Sequence, residues 1–322
     1  MRALEPPSLD DVRAARRRIA AHVVRTPLVR LRADAPDGTE IFLKLENLQP
    51  MGSFKLRGAT HAMSLVADEA LARGVYTASA GNMAQGVAFC ARERGVPCTA
   101  IVPDTAPEAK RAAIRRLGAQ IHEVPFAEWW NVLVTHGHPR FPDQLFVHPV
   151  SAPAVVAGNG TIGLEIAEDL PDVDAVLVPY GGGGLLTGIA SAVRALRPAV
   201  RVYACETATA APLSASLAAG EPRDITYTPS FVDGIGSTGV LADMWPAVRS
   251  IVEGSIVVPL DAIAAAVRLL AERQRVIAEG AGATSVAAAL TGKAGKGKIV
   301  CVVSGGNIDL SKLATIFHGG VP

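Results

Sequence analysis

The chain has 322 residues, 31 basic and 30 acidic, for a formal net charge of +1. That balance exerts no general pull on nucleic acid or acidic membranes, so the expected partner is a small molecule. A hydrophobic content of 49% excludes a disordered chain, and 31 Gly with 22 Pro exclude a helical bundle.

At roughly 150 residues per domain, the length predicts about two domains. The opening MRALEPPSLDDVRAARRR has no apolar segment behind its charges, and no uncharged apolar run of about 18 residues follows. We therefore expect no secretory signal, no membrane span and a cytoplasmic location. Ser8 predicts the cap of a helix running to about Val23, and Glu40–Leu45 reads as a strand. Further strands are predicted at Val75–Ala78, Thr99–Val102, Gln120–Val124, Ala175–Pro179, Val200–Cys205 and Lys298–Val303. Most are continuous apolar runs, which marks strands buried on both faces of a parallel sheet. Helical spacing marks Pro107–Leu117 and Leu260–Ile277; in the second, Leu260, Ile263, Val267 and Leu270 form one stripe. Thr291–Lys298 is a basic, glycine-rich turn without P-loop spacing. The alternation predicts an α/β fold of βαβ units. The cysteines form no CxxC pair, and Cys205 and Cys301 lie in apolar runs, as buried reduced thiols do.

Four strings carry chemistry. Gly181-Gly182-Gly183-Gly184-Leu185 follows a strand and opens a helix, so its N–H groups form an anion nest suited to phosphate; the dinucleotide fingerprint fails at Leu186. Ser53-Phe54-Lys55-Leu56-Arg57-Gly58 places a lysine at a helix entry, either as a plain surface residue or as the amine a Schiff-base cofactor requires. Ser79-Ala80-Gly81-Asn82-Met83 also opens a helix after a strand, where free N–H groups suit a carboxylate. Ser304-Gly305-Gly306-Asn307 closes the last strand. Ligands of open α/β sheets bind at such strand ends.

In their order and spacing these strings resemble the fold-type-II pyridoxal-phosphate enzymes, specifically the threonine/serine dehydratase and serine racemase branch, from Arg25 to Asn307. The resemblance implies two open, twisted, mostly parallel sheets flanked by helices, as in the tryptophan synthase β fold. It implies a large cofactor-binding domain at 1–50 and 148–322 with a small substrate-closing domain at 51–147, and commonly a homodimer. Lys55 would carry pyridoxal phosphate as a Schiff base, and Phe54 would lie against its ring. Asn82 would bond the phenolate oxygen, Gly181, Gly182, Gly183, Gly184 and Leu185 would hold the phosphate, and Ser304 would bond the pyridine nitrogen. Ser79, Gly81 and Asn82, beside Met83, would grip the substrate carboxylate. A neutral hydroxyl at Ser304 leaves the ring unprotonated, which favours α-proton loss with prompt β-elimination. Ala80 stands where racemases of the branch carry a second base, so racemisation is not the expected main activity.

The chain departs from the pattern at Met83 (usually His), Asn159 (usually Gln) and Val150-Ser151 (often acidic). Glu206 matches the first ligand of the family's divalent-metal site, but Pro212 replaces a later acidic ligand, so no Mg²⁺ or Ca²⁺ is expected there. The segment Phe126–Phe146, with Trp129-Trp130, reads either as a divergent helix and loop covering the sheet or as a pocket reshaped for a larger or apolar side chain. His136 and His138 alone offer two ligands and no third, so no metal site is predicted from them. The expected reaction is dehydration and deamination of a 3-hydroxy amino acid such as threonine, serine or a bulkier analogue. A β-replacement synthase of the cysteine-synthase kind and a catalytically dead cofactor-binding regulator are the alternatives.

Overall fold

The apolar runs become strands because each can bury both faces under helices. The computed structural model describes residues 3–106 and 108–322. Met1 and Arg2 of the leader reading and Pro107, the expected helix start, lie outside the described residues. The strands are β1 (Leu28–Arg30), β2 (Thr39–Lys44), β3 (Val75–Ala78), β4 (Cys98–Pro103), β5 (Gln120–Val124), β6 (Leu145–Phe146), β7 (Ala175–Pro179), β8 (Arg201–Thr207), β9 (Gly254–Val258) and β10 (Gly297–Val302).

They form two sheets, ordered β1-β2-β10-β7-β8-β9 and β5-β4-β3-β6. Only β1 runs antiparallel to its neighbour. Alternation along β7 and β10 decides the layering. Val176, Val178, Val300 and Val302 point into one apolar core. Ala175, Leu177, Ile299 and Cys301 point into the other. The smaller sheet is covered likewise, with Val75 and Ala100 on one side and Tyr76 and Ile101 on the other. A side-chain period of two between two helix layers makes this sequence a doubly covered parallel sheet.

Local chemistry sets the helix ends. Ser8 and Asp11 form a capping box on helix Leu9–Ile19, which stops four residues before the expected Val23. The helix expected to reach Ile277 is α-helical only over Leu260–Leu269. It widens into a π turn at Leu270–Gln274 and ends at Arg275 with φ of 61°. Gln274 there donates to the Arg30 carbonyl at 2.8 Å, satisfying β1's edge. Strands β1, β6 and β9 escaped the sequence reading; β1 and β6 are three and two residues long, too short for a period to register. No helix among the described residues is long and apolar enough to cross a membrane.

A buried ionic group joins helix Lys55–Ser64 to the six-stranded sheet. Arg57 donates in a fork to Glu46 at 2.8 Å on both oxygens and to Glu165 at 2.6 and 2.9 Å. Lys44 pairs with Glu165 at 2.6 Å and donates to the Thr26 carbonyl at 2.6 Å, while the Thr26 hydroxyl donates to Glu46 at 2.6 Å. Two cations thus face two carboxylates out of water. Burial alone would raise the Glu46 carboxyl, but Arg57 reverses that and holds it below its ordinary value.

Candidate active site

Parallel strands β2, β3, β7 and β10 all end on one side of their sheets, and each of the four strings follows one of those ends. Together they wall a cleft of about 1000 Å³. Phe54, Lys55, Ser79, Gly81, Asn82, Met83, Gly181, Gly182, Gly183, Gly184, Leu185 and Ser304 all line it, whereas Glu206 does not.

Backbone bonds zip the lysine loop to the loop after β10. Phe54 N–H donates to the Ser304 carbonyl at 3.0 Å, Ser53 bridges Gly305, and Gly306 N–H donates to the Gly52 carbonyl at 2.9 Å. Lys55 opens its helix half-buried, with its Nζ 2.6 Å from the Pro149 carbonyl and 5.1 Å from the centre of the Phe54 ring. Burial pushes its amine down to about 8, and the Glu279 carboxylate pulls the other way. Near neutral pH this leaves about a tenth of the lysine as a free nucleophile, far more than an ordinary lysine offers.

The glycine loop lies flat on Val150. A Cβ on Gly184 would stand 2.5 Å from the Val150 carbonyl oxygen, and Gly183 caps helix Gly184–Leu196 at a φ of 96° that side chains rarely adopt. By position the first N–H groups of that helix have no intrahelical acceptor, so a bare row of donors faces the cleft. A side-chain-free cradle at a helix N-terminus fits a phosphate.

Asn82 begins helix Asn82–Glu93, and its amide is held at both ends. It donates from Nδ2 to Glu279 at 2.8 Å and accepts at Oδ1 from Asn307 at 2.8 Å, leaving one amide hydrogen for a ligand. Ser79 accepts from Gly81 N–H at 3.2 Å, fixing the turn between them. Glu279 was missed by the sequence reading. It is 8% exposed, and burial, with Asp233 adding to it, pushes its carboxyl up to about 7. Its only sequence signal is a lone acid in the small-residue run AEGAGATS.

Ser304 is 3% exposed at the cleft floor. Met83 touches the cleft but is 1% exposed and packs mainly with the core around Leu56 and Val87, so its side chain is chiefly structural. Trp129 and Trp130 lie half-buried on the cleft wall. Glu206 serves elsewhere: its carboxylate accepts from Leu213 N–H and Ser214 N–H, each at 2.8 Å, and from Ser255 at 2.6 Å. It caps helix Pro212–Ala219, with Pro212 in the first turn, and does not fit a divalent-cation cage. Asn159 is buried against Gly58, and Ser151 contacts His136 and His148.

An amine, a phosphate cradle and an oriented amide converging on one cleft suit pyridoxal phosphate. The family model for the pyridoxal-phosphate dependent enzyme matches residues 19–305. An L-threonine ammonia-lyase of Geobacter sulfurreducens is 43% identical over 88% of this chain and 71% of its own length. One of Thermotoga maritima is 40% identical over 98% of this chain and 79% of its own. The solved structure of maize serine racemase is 32% identical, with a TM-score of 0.86 over 98% of both chains. With most of its length inside that match, the chain belongs to the family of pyridoxal-phosphate dependent enzymes.

Proposed function

We propose that this enzyme is an ammonia-lyase that eliminates water from a 3-hydroxy amino acid and releases a 2-oxo acid and ammonia. The single observation behind this reading is the Lys55 amine, held at the cleft between the glycine loop and the Asn82–Glu279 pair with its basicity lowered. The named threonine ammonia-lyases support it and favour it over β-replacement. The cofactor, when bound, supplies an electron sink for charge developing at the substrate's α-carbon. Lys55 would hold it, and the amine of Lys55, when free, would take the α-proton as the β-hydroxyl is lost. The helix N-termini at Asn82 and Gly184 attract the carboxylate and the phosphate. The lobe at 51–147 is the part we assign to closing over the substrate. Ala80 has no proton to give or take, so racemisation is not assigned.

Cofactor capture requires the unprotonated amine. With Lys55 near 8, uptake by the apoenzyme, followed by cofactor absorbance, should accelerate as pH rises through about 8 and then level off. A rate that keeps climbing toward the ordinary lysine value of 10.5 would count against the assignment.

We also assign the aromatic wall a part in substrate choice. Phe126, Trp129 and Trp130 border the cleft, and a phenyl group buried there gains roughly 2 kcal/mol at about 25 cal/mol per Å². The kcat/KM for 3-phenylserine should therefore fall within about tenfold of that for threonine, a gap of about 1.4 kcal/mol. Trp129→Ala should lower the phenylserine-to-threonine ratio. A phenylserine constant more than tenfold below threonine's in the parent enzyme sinks the idea.

A further inference from the structure

Two imidazoles and a carboxylate meet between the edge strand β5 and helix Phe126–Thr135, and none of the three lines the cleft. One ligand atom from each of His122, Glu128 and His138 lies within 4.8 Å of the others. His122 comes from β5, Glu128 from the first turn of the helix, and His138 from the loop past the helix's far end. The left-handed residue His136, with φ of 57°, reverses the chain there. That reversal separates the two histidines that the sequence places side by side. His136 turns to Asp243 at 3.2 Å, while His138 folds back to Glu128 at 3.0 Å. The fold thus removes His136 from the group and brings two ligands, His122 and Glu128, to His138.

We propose that His122, Glu128 and His138 form a binding site for a divalent cation of the Zn²⁺ class, with water as the fourth ligand. Two imidazoles and one carboxylate are a donor set that suits Zn²⁺ and disfavours Mg²⁺ and Ca²⁺, which take oxygen ligands. The histidine rings stand edge to face at 5.5 Å, and each packs within 5.6 Å of Phe141, which limits their motion. Glu128 is 48% exposed in its side chain, which leaves an entry path and room for the water.

Without metal, His138 Nδ1 accepts the Arg140 N–H at 3.1 Å, so its Nε2 carries the hydrogen given to Glu128. Coordination at Nε2 would move that hydrogen to Nδ1 and give up the Arg140 contact, a loss that metal binding has to offset. A bound cation would tie β5 to both ends of the helix that carries Trp129 and Trp130, fixing the wall of the substrate cleft from behind.

Tag-free holoenzyme should be titrated with Zn²⁺ by calorimetry, and with Co²⁺ by visible absorption and tryptophan quenching. One equivalent should bind, Mg²⁺ should not compete, and Co²⁺ should quench the neighbouring Trp129 and Trp130. His122→Ala and His138→Ala should each weaken binding at least about tenfold, as should the more conservative His138→Asn. Intact cofactor absorbance confirms that each variant is folded. His136→Ala should bind like the parent. No saturable binding, or equal affinity in the His122 and His138 variants, overturns the site. This inference does not depend on the substrate assignment, because the readout is metal binding and local fluorescence.

Discussion

Lys55→Ala should lower kcat at least about a thousandfold, because one amine serves as both cofactor anchor and base. The bound-cofactor absorbance should disappear with it. The side chain is half-buried and makes one hydrogen bond, to the Pro149 carbonyl, so the unfolding midpoint of the variant should stay close to that of the cofactor-free parent. That split separates a chemical role from a structural one. An alanine variant within tenfold of the parent would remove Lys55 from the reaction.

Arg57→Ala should cost about 3–5 kcal/mol of stability, measured by urea unfolding. The guanidinium is the common donor to Glu46 and Glu165, and its loss leaves two buried carboxylates facing Lys44 alone. The penalty arises from stranding charge away from water rather than from losing one favourable pair. Replacing the whole group with apolar residues of similar volume should therefore cost less than the single change. A loss below about 1 kcal/mol would mean that water enters the site and screens the carboxylates. Because Arg57 lies one turn or less from Lys55 on the same helix, the variant should also capture cofactor more slowly.

Much of the active site was legible because its parts are strings local in sequence. Gly181–Leu185 and Ser79–Asn82 each complete a strand end and a helix start within five residues, so their backbone chemistry is written contiguously. Glu279 was illegible because its role depends on Asn82, which lies 197 residues away. The Arg57 group hid for the opposite reason to a weak signal. Charged residues are rarely buried, and in strand β2 Lys44 reads as an edge residue until Glu165, 121 positions on, arrives to pair with it. The partners of His138 were hidden because the left-handed residue that ends the helix is His136 itself rather than the adjacent Gly137. The division of strands into two sheets had the same character, since β6 joins β3 through only two residues.

The four free cysteines are distributed between the two sheets in a useful way. Cys90 and Cys98 lie by the four-stranded sheet, Cys205 and Cys301 in the six-stranded one, and all are buried. Burial pushes the first two thiols up to about 11 and about 12 and raises the other two further. Alkylating reagents require an accessible thiolate, so none of the four should react while its sheet is closed. Each pair is thus a native clock for one half of the molecule. The order in which the two pairs become labelled reports which sheet opens first, without any introduced probe.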